Sequence, residues 1–310
     1  MVPALQDVWI LTGPTGSGKS ALALDLATRM GAEIVSMDSM ALYRGMDIGT
    51  AKPSPHERQR VPHHLIDVLD PWDSASVAWW LARAAECCRD IKARGKRALF
   101  VGGTPLYLKA LLYGLFDGPP ADADLRDRLS REVETTGNQA LHDRLSRVDS
   151  ATAARLHPND VRRIIRALEV WELTGRPISS WQAQWKVESK KSRIESENRC
   201  LCLDIPRAEL YARIDERVEA MFAAGFVDEA RRLLNLPLPL SREAAQALGY
   251  TEVFDLLAGR TSLSESVRRI QLRSRHFAKR QLAWFRHLPE CQFVAKQLTI
   301  GLWESTIAHS

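Results

Sequence analysis

The 310-residue sequence predicts an α/β protein in which a parallel sheet is flanked by helices. Three observations predict this fold. Short apolar runs alternate with helical segments between residues 8 and 101, a charge-rich stretch without strand patterns follows, and the segment 266–287 holds seven Lys or Arg and no acid. We divide the chain into the first part of the core (1–116), an inserted all-helical domain (117–198), and a return to the core with basic C-terminal helices (199–310).

The composition is that of a globular chain, with 45% hydrophobic and 26% charged residues and a net charge of +5. The N-terminus lacks signal-peptide and transit-peptide character, and no apolar stretch approaches the roughly 18 residues that a membrane span needs. The five cysteines are odd in number and lack the C-x-x-C spacing of zinc sites. We expect a cytoplasmic protein with reduced thiols and no membrane partner. Cys200 and Cys202 lie in a strand pattern, which favours burial over metal binding.

The strands and helices of the core follow in a regular order. An apolar run over residues 8–11 ends in a glycine cluster, and the helical pattern that follows ends at Gly31. In parallel sheets, ligands bind at the carboxyl ends of the strands, so residues directly after Leu11, Met37 and Val101 are candidates for a site. The further predicted elements are strands over 34–37, 98–101 and 200–205 and helices over 76–94 and 207–224.

The segment after the first strand is a P-loop motif, the signature of a P-loop NTPase-like sheet. GPTGSGKS, residues 13–20, fits the pattern G-x-x-x-x-G-K-[ST] between a strand and a helix. Its glycines let backbone amides point at phosphate oxygens, the helix N-terminus and Lys19 add positive charge, and the Ser20 hydroxyl can ligate Mg²⁺. The predicted phosphate site comprises Gly13, Pro14, Thr15, Gly16, Ser17, Gly18, Lys19 and Ser20.

The motif indicates a polyphosphate ligand without specifying the reaction. Nucleoside triphosphatases usually place an Asp after a neighbouring strand to hold Mg²⁺, but here Val101 runs into Gly102-Gly103-Thr104. The acid comes instead from Asp38, which follows the second strand. A carboxylate at that place can serve as a general base or a metal ligand, or it can cap a following helix.

Seven blocks of the sequence together resemble the tRNA dimethylallyltransferases, also called tRNA isopentenyltransferases or IPP transferases. They span nearly the whole chain in the order of the family. The blocks are GPTGSGKS (13–20), DSMALYRGMDIGTAKP (38–53), VPHHLIDVLDP (61–71), GGTPLYLKALLYGL (102–115), HPNDVRRIIRALEVWELTGRPIS (157–179), ALGYTEV (247–253) and AKRQLAWFR (278–286).

The resemblance implies transfer of a dimethylallyl group from dimethylallyl diphosphate to an adenosine of tRNA. The acceptor would be the exocyclic N6 amine of the adenosine just 3′ of the anticodon, in tRNAs that read codons beginning with U. The P-loop would hold the diphosphate, with Mg²⁺. Asp38 matches the family's general base, and Thr104 matches the residue that hydrogen-bonds the bridging oxygen of the diphosphate. Stabilising the departing pyrophosphate suits a reaction in which the allylic carbon gains carbocation character.

An enzyme that acts on a base in an RNA loop needs a basic surface. Solvated charged faces usually mix signs, so the acid-free segment 266–287 favours contact with phosphates, although some of its groups can serve the pyrophosphate instead. Arg268, Arg275, Lys279 and Arg286 fall on one helical stripe, and Arg269, Arg273 and Arg280 fall on a second one beside it. We assign tRNA contact to Arg275, Lys279, Arg280 and Arg286.

The resemblance also implies three segments that meet the tRNA anticodon stem-loop. One is a helix that we expect Asn159 to cap, with Ile164 and Ile165 on its buried stripe. Arg126 matches a further family position, where a plain surface arginine is the alternative. The implied contacts are Arg162, Arg163, Ile164, Ile165 and Arg166 in that helix; Asp38, Ser39, Met40 and Ala41; and Gln246, Ala247, Leu248, Gly249, Tyr250 and Thr251.

Three other functions compete with this one. A P-loop kinase of a small metabolite would turn over ATP, and the Gly102-Gly103-Thr104 segment speaks against it. An adenylate isopentenyltransferase would prenylate a mononucleotide, which requires neither an inserted domain nor a basic helix. A non-catalytic RNA-binding module would not require Lys19, Asp38 and Thr104 at adjacent strand ends.

The remaining conspicuous residues receive structural interpretations. We interpret His63-His64 as loop or core histidines rather than metal ligands, and Trp79-Trp80 as packing of a helix onto the sheet. We expect the protein to be a monomer.

Overall fold

The computed structural model describes residues 5, 8–183, 199–295, 299, 301 and 303. The chain forms two compact units. The core unit takes in the described parts of Leu5–Leu112 and Ile194–Ser310, and the helical unit takes in the described part of Tyr113–Arg193. Among the described residues, no helix is both long and apolar enough to cross a membrane.

The core unit is built on a sheet whose described strands stand in the order β3-β2-β4-β1-β5-β6. All neighbouring strands are parallel, as the sequence predicted. β1 and β2 are buried at every residue, which is typical of parallel strands covered on both faces. The strands are β1 (Trp9–Thr12), β2 (Ala32–Ser36), β3 (His63–His64), β4 (Arg97–Gly102), β5 (Cys200–Asp204) and β6 (Gln292–Ala295).

The helices of the core unit connect these strands. Four of them lie close to the predicted bounds, namely the helix before Gly31 and those predicted near 76–94, 207–224 and 266–287, and the other five described helices were not predicted. The first helix of the chain ends at Gly31, whose left-handed backbone (φ 60°) lets its N–H donate to carbonyls of the last turn. The helices are Lys19–Met30, Pro55–Arg60, Val77–Ala93, Pro105–Tyr113, Arg207–Ala223, Phe226–Leu234, Arg242–Ala245, Tyr250–Leu257 and Leu263–Phe285.

The order of the strands fixes where a ligand can bind. From β1 the chain passes β4 and reaches β2, toward the β3 edge of the sheet. From β4 it passes β1 in the opposite direction and reaches β5, toward the β6 edge. Connections that leave in opposite directions open a crevice at the carboxyl ends of the two strands. β1 and β4 pair directly, with Thr12 beside Gly102, so this crevice lies between the P-loop and the segment that begins at Gly102.

Aromatic packing holds helix Val77–Ala93 on the sheet, as predicted for Trp80. Its indole is fully buried and stacks on Tyr107 with ring centroids 4.2 Å apart. Its Nε1 also donates to the Ser36 carbonyl at 3.1 Å. Trp79 is half-buried at the start of the same helix.

His63, His64 and the cysteines of β5 lie in strands of the sheet. His63 and His64 form the short edge strand β3 rather than a loop, and His64 Nε2 lies 2.7 Å from the buried Glu33 carboxylate. Cys200 and Cys202 are buried in β5, as predicted. In the part of the chain that the structure describes, no group of three or more His, Cys, Asp or Glu side chains is arranged to hold a metal ion.

The helical unit packs around leucines and isoleucines, and its described residues form helices and connecting segments but no strand. Gly137 (φ 83°) has non-helical backbone angles and divides the long helix into two helices that meet at a kink. Helix Val161–Thr174 begins after Asp160, so the prediction that Asn159 caps it was wrong. The Asn159 amide oxygen instead accepts from Asn138 Nδ2 at 3.1 Å. The helices are Ala123–Val148, Ser150–Ala153 and Val161–Thr174, and residues 178–183 are also helical.

A buried carboxylate ties two of these helices together. Glu169 is fully buried and accepts hydrogen bonds from Arg126 Nε at 2.8 Å and from Arg166 Nη1 at 2.6 Å. The backbone N–H of Asp122 donates to it as well, at 2.8 Å. Burial acts to raise the pKa of Glu169, but the hydrogen bonds from Arg126 and Arg166 outweigh it and hold the pKa below its ordinary value.

Candidate active site

The P-loop follows β1 and bends sharply into helix Lys19–Met30. Gly13, Gly16 and Gly18 all have positive φ (152°, 80° and 79°), a conformation that side chains rarely adopt. A Cβ on Gly16 would also lie 2.8 Å from Ile214 of the neighbouring helix. The sequence therefore needs glycine here, and the resulting loop presents backbone N–H groups at the start of a helix, where anions bind.

One buried hydroxyl in this loop fits a phosphate oxygen. Ser17 is fully buried, and its Oγ has no hydrogen-bond partner among the described residues. A buried polar group without a partner costs free energy, unless a ligand supplies the partner. The orphaned hydroxyl thus supports the assignment of this loop as an anion site.

Two cations flank the loop. Lys19 Nζ donates to the Pro14 carbonyl at 3.2 Å, and Arg217 Nη1 donates to Thr15 Oγ1 at 3.1 Å. Burial and the nearby Arg217 charge lower the pKa of Lys19 to about 8, although Asp38 and Cys202 act to raise it. Burial likewise lowers the pKa of Arg217, against the raising effect of Asp38. Two desolvated cations this close together favour binding of a multiply charged anion between them.

Asp38 and Thr104 lie side by side because β2 and β4 end together. A Cβ on Gly102 would lie 2.2 Å from the Met37 carbonyl oxygen, so only glycine permits this approach. The backbone N–H of Thr104 donates to that same carbonyl at 3.2 Å, and Thr104 Oγ1 accepts from the Ser39 N–H at 3.1 Å. Thr104 therefore keeps its hydroxyl hydrogen for a ligand.

The Asp38 carboxylate does not cap a helix, which was one of the alternatives for it. The residues that follow form turns, and Asp38 Oδ1 accepts from the Met40 N–H at 2.9 Å within them. That single bond leaves the other carboxylate oxygen available. Asp38 is half-buried and influences the pKa values of both Lys19 and Arg217, so it belongs to the same site.

Two residues that the sequence analysis missed also belong to this site. Arg217 comes from helix Arg207–Ala223, and Gln281 comes from helix Leu263–Phe285. Gln281 is almost fully buried; its Oε1 accepts from the Thr15 N–H at 2.9 Å, and its Nε2 donates to the Gly103 carbonyl at 2.6 Å. A polar residue on the buried face of helix Leu263–Phe285 was the available signal for Gln281.

Helix Leu263–Phe285 is the basic helix, and its cations divide into two groups. Acids bind four of them: Glu265 pairs with Arg268 and Arg269, Glu252 pairs with Arg273, and Asp215 pairs with Arg275. Lys279, Arg280 and Arg286 are exposed, and among the described residues none of the three forms an ion pair. These three remain the candidates for phosphate contact, while Arg275 would have to leave Asp215.

The other implied tRNA-contact residues differ in how exposed they are and in whether an acid pairs with them. Arg162 and Gln246 are exposed, Arg163 pairs with Asp160, and Arg126 and Arg166 hold Glu169. Ser39, Met40, Leu248 and Thr251 are half-buried. Ala41, Ile164, Ile165, Ala247, Gly249 and Tyr250 are buried as whole residues, backbone included, so they present little or no surface to RNA in this structure.

A buried acid connects residues 47–49 to Tyr250, which lies in one of the implied contact segments. Glu229 accepts from the backbone N–H groups of Asp47, Ile48 and Gly49 at 2.8–3.0 Å. It also accepts from the Tyr250 hydroxyl at 2.7 Å. Glu229 thereby fixes the segment 47–49 against the start of helix Tyr250–Leu257, a role that no local sequence pattern indicates.

The fold and this site define a P-loop α/β protein that can hold a diphosphate between two cations, beside a carboxylate and a hydroxyl. The family model described as "IPP transferase" matches residues 41–288, and the model described as "Isopentenyl transferase" matches residues 6–67. The chain belongs to the IPP transferase family.

Relatives of known name agree with this assignment. "tRNA dimethylallyltransferase 1" of Trichlorobacter lovleyi is 47% identical over 93% of this chain and 93% of its own length. "tRNA dimethylallyltransferase" of Geobacter metallireducens is 48% identical over 92% of this chain and 91% of its own.

Solved structures agree as well. The tRNA isopentenylpyrophosphate transferase of Bacillus halodurans has a TM-score of 0.69 at 38% identity and covers 99% of this chain and 96% of its own. A eukaryotic dimethylallyltransferase, described as acting on tRNA, has a TM-score of 0.78 at 26% identity over 98% of this chain and 78% of its own.

Proposed function

We propose that this chain transfers a dimethylallyl group from dimethylallyl diphosphate to tRNA. The observation that carries the proposal is the juxtaposition of three groups at adjacent strand ends: the P-loop after β1, Asp38 after β2 and Thr104 after β4. No acid follows β4 to activate water or a γ-phosphoryl group. The relatives named above are tRNA dimethylallyltransferases.

The diphosphate would lie in the P-loop. The backbone of residues 13–20 and the buried Ser17 hydroxyl would surround its oxygens, with Lys19 and Arg217 supplying positive charge. Thr104 would donate its free hydroxyl hydrogen to the bridging oxygen. These donors stabilise charge where it develops, as the bond between the allylic carbon and the diphosphate breaks.

The nucleophile would be the exocyclic N6 amine of the adenosine 3′-adjacent to the anticodon. Its nitrogen forms the new bond to the allylic carbon while pyrophosphate departs, and its proton passes to Asp38. The free Asp38 oxygen is suited to this role because its partner oxygen is fixed by the Met40 N–H. Substrates would be tRNAs that read codons beginning with U.

Mg²⁺ is the proposed cofactor, and the donors present fit it. Mg²⁺ retains several waters and binds through one or two protein oxygens and the substrate phosphates, so no acidic cluster is needed. Ser20 is exposed at the start of helix Lys19–Met30, where its hydroxyl can contribute one ligand. Bound there, the ion would neutralise charge on the leaving pyrophosphate.

The RNA partner would be the anticodon stem-loop. Exposed cations of the core unit (Lys279, Arg280 and Arg286) and Arg162 of the helical unit would contact its phosphates, because neutralising phosphates with Lys and Arg supplies much of the affinity of a protein for nucleic acid. A cytoplasmic monomer remains our expectation for the protein.

The experiment that tests the reaction compares acceptors. The protein is incubated with labelled dimethylallyl diphosphate, Mg²⁺ and unmodified tRNA that reads UUU codons, beside AMP and ATP. We expect label on tRNA alone. Label on a mononucleotide alone would make the protein an adenylate isopentenyltransferase, and ATP hydrolysis without transfer would support a kinase; either result would overturn the proposal.

A further inference from the structure

Gln281 connects the two loops that form the active site. It lies on the buried face of the basic helix and is 2% exposed. Its amide oxygen accepts from the Thr15 N–H in the P-loop at 2.9 Å, and its amide nitrogen donates to the Gly103 carbonyl at 2.6 Å. Gly103 directly precedes Thr104.

These contacts suit a carboxamide and no other side chain of this size. One loop offers an N–H donor and the other offers a carbonyl acceptor, so the bridging group must accept at one end and donate at the other. Glutamate lacks the donor, and methionine lacks both. The fit around the bridge is close, since a Cβ on Gly103 would lie 2.5 Å from Gln281 Nε2 and 3.1 Å from the Gly13 carbonyl oxygen.

We propose that Gln281 is a positioning residue that fixes the Thr104 hydroxyl relative to the phosphate cradle. The inference rests on the proposed function, in which Thr104 donates to the bridging oxygen of the diphosphate. Thr104 is anchored on its other side by Met37 and Ser39, through its N–H and its Oγ1. Thr12 Oγ1 joins the end of β1 to the Gly102 carbonyl at 2.9 Å, but among the described residues only Gln281 joins Gly103 to the P-loop through side-chain hydrogen bonds. Without this bridge the Thr104 hydroxyl would shift from the place that the leaving oxygen takes.

A double-mutant cycle separates positioning from general support of the fold. The single-turnover rate of label transfer from dimethylallyl diphosphate to saturating tRNA is measured for the wild type, Gln281→Met, Thr104→Val and the double variant. We expect Gln281→Met to slow transfer by about tenfold to a hundredfold, since a small misplacement costs that much. In the Thr104→Val background the same change should cost less than about threefold, because the group that it positions is gone.

Two further variants secure the result. Gly103→Ala keeps Gln281 but pushes its Nε2 aside, and it should slow transfer and couple to Thr104→Val in the same way. Gln271→Met removes an amide from the same helix, where Gln271 Nε2 donates to the Asp215 carbonyl and to Glu219, each at 3.5 Å. This control should transfer label at the wild-type rate.

The outcomes distinguish the inference from the function that it rests on. Equal losses in both backgrounds, or no loss in Gln281→Met and Gly103→Ala, would overturn the positioning role while wild-type transfer leaves the proposed function intact. A wild type that transfers no label would overturn both.

Discussion

At the scale of single residues, the proposed reaction depends on the charged side chains that lie near the carboxyl ends of β1, β2 and β4. Asp38 has one oxygen fixed by the Met40 N–H and one oxygen free, beside Lys19 and Arg217. A general base needs this combination of fixed orientation and available lone pair.

Asp38→Asn tests this role with little disturbance of the turn, because the asparagine carbonyl can still accept from the Met40 N–H. We expect single-turnover prenyl transfer to fall by about a hundredfold to ten-thousandfold, since no proton acceptor remains. The tRNA affinity, measured by filter binding, should change no more than a few-fold. A transfer rate near that of the wild type would remove Asp38 as the base.

Lys19 makes pyrophosphate binding dependent on pH. Its pKa is about 8 in the free protein, so the side chain loses its positive charge as the pH rises through that value. Above pH 8 the dissociation constant of pyrophosphate, measured by titration calorimetry, should rise by up to about tenfold per pH unit, because binding must restore the proton. In Lys19→Arg the side chain stays charged at every pH used, so the dissociation constant should not rise on account of this residue. Comparing the two proteins also corrects for the titration of pyrophosphate itself. Equal pH profiles for the two proteins would contradict the assignment.

The same pKa shift has a definite sign for stability. The unfolded chain holds the Lys19 proton up to the ordinary value of 10.5, whereas the folded chain holds it only up to about 8. Between these values the unfolded state binds more protons, so the contribution of Lys19 to the free energy of unfolding rises with pH. The charged lysine is thus a cost that the folded protein carries below pH 8 in the absence of an anion.

At the scale of elements, ion pairs decide which part of the basic helix is available to RNA. The cations in its N-terminal part form ion pairs with Glu265, Glu252 and Asp215. Lys279, Arg280 and Arg286 are exposed near its C-terminus. The sequence pattern places all seven cations on two equivalent stripes, and only the fold separates them.

Replacing exposed cations should weaken RNA binding and its salt dependence. For Lys279→Ala with Arg280→Ala, we expect the slope of log affinity against log salt to flatten by about 1.4, from 0.7 for each lost phosphate contact with single-stranded RNA. Arg268→Ala with Arg269→Ala is the matched control, because Glu265 already neutralises part of that charge. A slope that changes equally in both double variants would show that the ion pairs do not matter.

In the helical unit, Arg126 serves the fold. Glu169 is fully buried and shares its two oxygens between Arg126 and Arg166. Arg126→Ala should lower the free energy of unfolding of this unit by about 1–3 kcal/mol, because a buried carboxylate loses a partner. Hydrogen exchange of the amides in helix Ala123–Val148 measures the loss.

Arg128→Ala is the control for this prediction, since Arg128 lies on the same helix and pairs with the more exposed Glu172. It should cost no more than about 1 kcal/mol. The Arg126 effect should diminish in acid, because the pKa of Glu169 is depressed and its stabilising charge is lost as the pH falls through that pKa. Equal losses of protection in the two variants would refute the distinction.

At the scale of the whole molecule, the sequence predicted what depends on local pattern. The apolar runs predicted β1, β2, β4 and β5 but not the edge strands β3 and β6, and GPTGSGKS predicted the phosphate loop. The rule that ligands bind at carboxyl strand ends pointed to the segments of Asp38 and Thr104, which the hydrogen bond from the Ser39 N–H to Thr104 Oγ1 joins. Each of these signals lies within a few neighbouring residues.

What the sequence did not predict depends on tertiary contacts. Gln281 and Arg217 reach the P-loop from helices far along the chain, and their role follows from which helix face packs inward. The ion pair of Arg275 with Asp215 joins two such helices. Tyr250 lies in a matching sequence block, yet its side chain is buried, because a family motif combines core residues with contact residues.

The most direct test of the central claim uses two synthetic anticodon stem-loops that differ by one amine. One carries adenosine 3′-adjacent to the anticodon, and the other carries purine riboside, which lacks the exocyclic N6 group. With labelled dimethylallyl diphosphate and Mg²⁺, we predict label on the first stem-loop only, recovered as N6-isopentenyladenosine. Label on the second stem-loop, or on another nucleotide of the first, would contradict this prediction.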